Sequence, residues 1–186
     1  MKKPQSVIEI FLQPGEWWFG NEHTRIRTLL GSCVAITLWH PGRRIGGMCH
    51  YMLPSRSRER GTQALDGRYG DEALALLLKE IHRERARPSE FDAKLFGGGY
   101  MFDRQGCPGA GCSGQIQDRN IAIGRDLMAR HGFRIKAQHL GGTGHRQVIF
   151  DIWSGHVWVK HTPLPAAESD LKEPDCGSPL LIGLPS

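Results

Sequence analysis

Val34, Ile36 and Leu38 alternate with Cys33, Ala35, Thr37 and Trp39, and a second apolar run from Ile45 to Leu53 follows the Pro41-Gly42 turn signal. A period of two belongs to a half-buried strand, so this stretch is expected to fold as a β-hairpin. The same period decides which side chains share a face. A two-residue loop at Pro41-Gly42 sets Cys33 directly opposite His50, about 4.5–5.5 Å away at Cβ. Pro-Gly favours a type II turn, which matches hairpin twist poorly. A four-residue loop is the alternative, and it leaves the two residues diagonal on one face. An odd loop, or a bulge near Gly46-Gly47, would break this parity. In the first register Cys49 points away from Cys33, so a bridge between them is disfavoured.

Other punctuation divides the rest of the chain. Trp17-Trp18-Phe19 places three aromatics in a row, which cannot all face one core if extended, so some sit on a surface or cover an edge. Residues 55–70 read as a polar surface loop. Asp71-Glu72 then opens a helix in which Leu74, Leu77, Leu78 and Ile81 recur at helical spacing, with basic residues before Pro88. Phe91 to Phe96 reads as a short strand entering Gly97-Gly98-Gly99, and a second helix is expected from about Ile121 to His131, stopped by Gly132. Ile135, Ala137 and His139 precede Gly141-Gly142, and residues 148–160 read as a hairpin turning at Ser154-Gly155. The expected class is α+β, with mixed or antiparallel sheets packed with two to three helices. Residues 1–161 form the domain, and residues 162–186 a flexible Pro-rich tail.

Composition sets the class of protein. With 186 residues, 39% hydrophobic and 23% charged, the chain can bury a core without staples. The net charge of +5 is mild, and the densest basic run, Arg56 to Arg60, is interrupted by Glu59. No nucleic-acid recognition pattern accompanies it, so no nucleic-acid partner is expected. Met1-Lys2-Lys3-Pro4 leads into Gln5 and Glu9 and not into an apolar run, and no stretch has the length of a membrane span. Five cysteines cannot all pair internally. These features point to a soluble chain in a reducing cytoplasm, without membrane insertion.

A free cysteine and a histidine on one face of a hairpin are the parts of a thiol nucleophile and its base. Imidazole raises the thiolate fraction of a thiol whose ordinary pKa is about 8.5. Gly31 and Ser32 are small, so an attacked carbonyl can approach the backbone, and their amides with that of Cys33 are candidate oxyanion donors. Cys33 would attack a primary carboxamide, His50 would protonate the departing ammonia, and water would hydrolyse the thioester. No metal or cofactor is required. The plainer reading makes Cys33 a small core residue and His50 a satisfied polar group.

Several motifs carry a family resemblance. Pro14-Gly15-Glu16, Thr28-Leu29-Leu30-Gly31-Ser32-Cys33-Val34 and Gly46-Gly47-Met48-Cys49-His50-Tyr51-Met52-Leu53-Pro54 resemble the CheD chemoreceptor glutamine deamidases. Arg68-Tyr69-Gly70-Asp71, Lys94-Leu95-Phe96-Gly97-Gly98, Ile123-Gly124-Arg125 and Leu140-Gly141-Gly142 with Val148-Ile149-Phe150-Asp151 and Gly155 follow in family order. The resemblance implies a cysteine-hydrolase fold shared with certain bacterial toxin deamidases. It implies Cys33 as nucleophile, His50 as base and Thr28 as a supporting residue. It also implies substrates on the helical cytoplasmic part of chemoreceptors, glutamyl methylesterase activity in some members, and in some a CheC-type response-regulator phosphatase as partner.

Other constellations rank lower. Cys107 and Cys112 lie in a Gly-rich loop but lack the two close ligand pairs of structural zinc. Gly97-Gly98-Gly99 and Gly141-Gly142-Thr143-Gly144 lack the phosphate-loop ending. Thr143 and His145 are candidates for the substrate groove. Asp71 is accounted for by helix-start chemistry. Two further classes are an adaptor that binds receptor or phosphatase with vestigial catalysis, and a cysteine peptidase, which would cut the chain of its substrate.

Overall fold

The structure is a computed structural model that describes residues 2–56, 64–101 and 114–164. The strands are β1 (Ile8–Leu12), β2 (Trp17–Gly20), β3 (Thr24–Leu30), β4 (Val34–His40), β5 (Ile45–Tyr51), β6 (Asp92–Gly97), β7 (Arg134–Leu140), β8 (His145–Asp151) and β9 (His156–Thr162). The helices are α1 (Gly70–Arg83) and α2 (Gly114–Arg130), with a short 3-10 turn at Pro88–Glu90. The expected α+β class holds. β1, β3, β8 and β9 form one sheet in that order, and β2, β5, β4, β6 and β7 form the other. Each sheet is mixed, because β1 runs parallel to β3 and β6 parallel to β7.

Three layers result. Leu12, Ile26, Leu30, Val148 and Phe150 of the smaller sheet meet Ala35, Met48 and Phe96 of the larger one. The opposite face of the larger sheet, with Val34, Ile36, Leu38, Cys49, Tyr51 and Leu95, packs on Leu74, Leu77 and Ile81 of α1 and on Leu127 and Met128 of α2. Burying each such aliphatic side chain contributes about 1.5–3 kcal/mol. The helical period of α1 is satisfied by this contact, and Asp71 accepts the Glu72 N–H at its first turn, 2.9 Å away.

Some expectations change in detail. The hairpin loop has four residues, since His40 pairs with Ile45, and Arg44 takes a φ of 51° to close it. Ala35 therefore stands opposite His50, which leaves Cys33 diagonal to it on the same face. The chain before Val34 does not continue the hairpin strand. It breaks at Gly31-Ser32-Cys33, and the residues before the break belong to the other sheet. The returning strand ends at Tyr51, α2 begins at Gly114 well before Ile121, and β9 runs on to Thr162. The aromatic triplet forms an edge strand: Trp17 and Phe19 pack on the helix-side core, while Trp18 is 42% exposed. The Cys107–Cys112 loop and residues 165–186 of the expected tail lie outside the described residues.

Candidate functional site

The break between β3 and β4 sends the chain from one sheet to the other, and Cys33 is the last residue of that crossing. Two amides from the glycine run after β6 hold it. Gly98 N–H donates to the Cys33 carbonyl at 2.7 Å, and Gly99 N–H donates to the Gly31 carbonyl at 2.8 Å. Glycine is required for this grip, since a Cβ on Gly97, whose φ is 111°, would lie 2.2 Å from the Cys33 oxygen. The amides of Gly31, Ser32 and Cys33 have no backbone acceptor among the described residues.

His50 enters from the adjacent strand of the larger sheet and is 1% exposed. Its Nδ1 lies 2.8 Å from the Thr28 hydroxyl of β3, in the smaller sheet. Thr28 donates its own proton to the Leu12 carbonyl at 2.9 Å. The hydroxyl must then accept from His50, which assigns the proton to Nδ1 and leaves the Nε2 lone pair free. Nε2 is buried and has no hydrogen-bond partner among the described residues. Burial lowers the His50 pKa to about 4, against the opposing pull of the Leu12 carbonyl and the Glu16 charge. The half-buried Cys33 thiol is pushed up by burial, with the Ser32 hydroxyl acting the other way. Both groups are therefore neutral at rest near pH 7.

Cys33 and Cys49 are both free, and they serve different cores. Cys33 packs toward the inter-sheet layer and Cys49 is wholly buried under the helices, where its pKa rises to about 12. Of the two groove candidates, the Thr143 carbonyl accepts from His161 Nε2 at 2.8 Å, and His145 pairs with Thr162.

Three features were not read as site features from the sequence. The Leu12 carbonyl completes the chain of hydrogen bonds through Thr28 to His50. Pro14-Gly15 builds a turn beside His50, and Pro-Gly was the available signal for it. Arg146, 1% exposed, donates from Nε to His139 Nδ1 at 2.8 Å and from Nη2 to the Gly141 carbonyl, while its Nη1 has no partner among the described residues. A cleft of about 440 Å³, lined by Ile10, Leu12, Gly15, Glu16, Trp17 and Trp18, opens between the edges of the two sheets.

The molecule is thus an α+β protein of two stacked sheets and a helical layer, with an oriented imidazole and a cysteine turn at the seam between the sheets. Residues 52–161 match the family model described as CheD chemotactic sensory transduction. The chain is 48% identical over 172 residues to a protein of Pseudomonas syringae pv. tomato named probable chemoreceptor glutamine deamidase CheD, covering 92% of this chain and 100% of that one. A Pseudomonas savastanoi pv. phaseolicola relative of the same name is 49% identical over 176 residues, covering 93% and 96%. A third, from Dechloromonas aromatica, is named probable chemoreceptor glutamine deamidase CheD 3 and is 50% identical over 159 residues, covering 84% and 89%. The chain belongs to the CheD family.

Proposed function

We propose that this chain is a chemoreceptor glutamine deamidase in which Cys33 is the nucleophile, His50 the general base and acid, and Thr28 the residue that orients His50. The observation that carries this reading is the Nδ1–Thr28–Leu12 hydrogen-bond chain, which frees Nε2 on the face shared with Cys33. The names of the relatives support the substrate class. Nε2 takes the Cys33 proton as sulfur adds to the glutamine carboxamide carbon. The amides of Gly31, Ser32 and Cys33 serve the oxyanion. His50 returns the proton to the amide nitrogen, ammonia leaves, and a thioester remains. Water, activated by His50, adds to the thioester carbonyl and the C–S bond breaks. Glutamate and the free thiol result.

A glutamyl methyl ester can enter the same thioester with methanol as leaving group, so methylesterase activity belongs to this proposal. So does a CheC-type phosphatase as a partner, and action on the cytoplasmic part of receptors. Among the described residues no helix is long and apolar enough to cross a membrane. The test is mass spectrometry of a receptor cytoplasmic fragment from the same organism after incubation with wild-type and Cys33→Ala protein. A glutamine-to-glutamate mass change that requires Cys33 is expected. Binding without any conversion by wild type would favour the adaptor, and peptide fragments would favour a peptidase.

A further inference from the structure

The Pro14-Gly15-Glu16 motif contributes no group to the chemistry above, yet it is bonded directly to the catalytic strand. Glu16 N–H donates to the Gln13 carbonyl at 3.0 Å, and Gly15 has a φ of 89°, as the third position of a type II turn demands. Gly15 N–H then donates to the His50 carbonyl at 2.7 Å, while His50 N–H donates to the Glu16 carbonyl at 2.9 Å. Two residues thus oppose one, with a left-handed glycine first, which is a G1 bulge centred on His50. Bulges of this kind re-aim side chains.

The second residue of the bulge is Glu16. Trp17 pairs with Cys49 and Trp18 with Met48, so the register carries Glu16 onto the face of His50. Its carboxylate is tethered there, since Oε2 accepts the Gln13 N–H at 2.8 Å. It also lines the cleft formed with Leu12.

The other groups around His50 offer no competing charge. Thr28 of β3 and the Leu12 carbonyl are neutral, and β4 presents Cys33 and Ala35. Cys49 and Tyr51 point into the helix-side core. Arg68 packs against Gly15 but is ion-paired with Asp66 at 2.6 Å.

Resting on the Cys33–His50 reading, we propose that Glu16 is a positioning residue for that pair, held on the His50 face by the Pro14-Gly15 bulge so that its charge stabilises the imidazolium formed when Cys33 gives up its proton. Burial of both partners opposes that charge separation, and a carboxylate fixed at the mouth of the cleft offsets part of the opposition. The carboxylate is exposed, so its influence is screened by salt.

The experiment is alkylation of the full-length protein by neutral iodoacetamide, followed on the Cys33 peptide by mass spectrometry across pH. Glu16→Gln keeps an acceptor for the Gln13 N–H and removes the charge. We expect its Cys33 rate to fall about two- to fivefold near pH 7. The deficit should close at high pH, where thiolate forms without a proton on His50. It should also close at about 1 M salt. Glu16→Asp should recover part of the rate. Equal rates near pH 7 for Glu16→Gln and wild type overturn the proposal, and so does a deficit that persists at high pH and high salt. If His50→Asn leaves the neutral rate unchanged, the Cys33–His50 pair itself falls. If only Glu16→Gln is without effect, the pair stands and the role of Glu16 falls. Alkylation needs no receptor, so its outcome is separate from that of the deamidation assay.

Discussion

Thr28 and His50 come from different sheets, and their hydrogen bond of 2.8 Å between Oγ1 and Nδ1 is a side-chain bond that crosses the seam between them. The imidazole of one layer is therefore aimed by the hydroxyl of another.

Thr28→Val keeps the shape of the side chain and removes the acceptor. Nδ1 and the Leu12 carbonyl both lose their partner in a buried setting, which costs about 1–3 kcal/mol per unsatisfied group. We expect deamidation to fall on the order of a hundredfold, the low end of a general acid–base contribution. Thr28→Ser should retain most of the activity. Progress curves with a receptor fragment, alongside urea unfolding of each variant, separate the two effects.

His50 also makes stability depend on pH. Its folded pKa of about 4 lies below the ordinary imidazole value of 6.5. Between those values the unfolded chain binds more protons, so stability rises with pH across this window and is lost as pH falls through it. The loss attributable to His50 is complete below its folded pKa and amounts to roughly 3 kcal/mol. Urea midpoints taken at neutral pH and near pH 4 should show it, and His50→Gln should flatten the slope.

Gly99→Ala places a methyl group 2.3 Å from the Gly144 carbonyl oxygen, 2.8 Å from Arg146 Nη1 and 3.3 Å from the Gly31 oxygen. Backbone lies on two sides, so the strain cannot be relieved by a side-chain rotation alone. A cost of about 1–3 kcal/mol is expected, as for overpacking in a core. Displacement of the Gly31–Cys33 turn should lower turnover more than receptor binding, which a comparison of kcat with KM would reveal.

Arg146→Met removes a buried cation from beside His139. Desolvation first, and then the Arg146 charge, hold His139 below the ordinary imidazole range. The His139 pKa should therefore move upward in the variant, read by NMR titration of the ring.

How legible all this was in sequence depends on how local each signal is. The hairpin and the helix with Leu74, Leu77 and Ile81 follow from spacing alone, because period is a property of neighbouring residues; the face shared by Cys33 and His50 needed an even loop as well, which the structure supplies. The length of the loop after His40 decided whether the pair stood opposite or diagonal, and Pro41-Gly42 left that open.

Thr24–Leu30 is different. Its partners are Ile8–Leu12 on one side and His145–Asp151 on the other, and no local pattern states a pairing over such separations. A supporting role for Thr28 was implied by the family resemblance, while its contact with His50 depends on how two sheets stack.

Helix α2 exceeded expectation at its start, where Gln117 and Asn120 are buried polar residues without apolar periodicity. Asn120 is held by its own donation to the Met52 carbonyl at 2.7 Å, and its carbonyl accepts the Tyr51 hydroxyl at 2.7 Å. Tertiary partners compensate there for what helical spacing does not provide.

The seam-spanning hydroxyl has a consequence for synthesis. Cys33 and His50 leave the ribosome early, but β3 gains its neighbour β8 only when most of the domain has been made. Until then the sheet that carries Thr28 lacks one of its two flanking strands. Domains generally fold as units. Under the proposed mechanism, reactivity at Cys33 would then report late in synthesis that the two sheets have met.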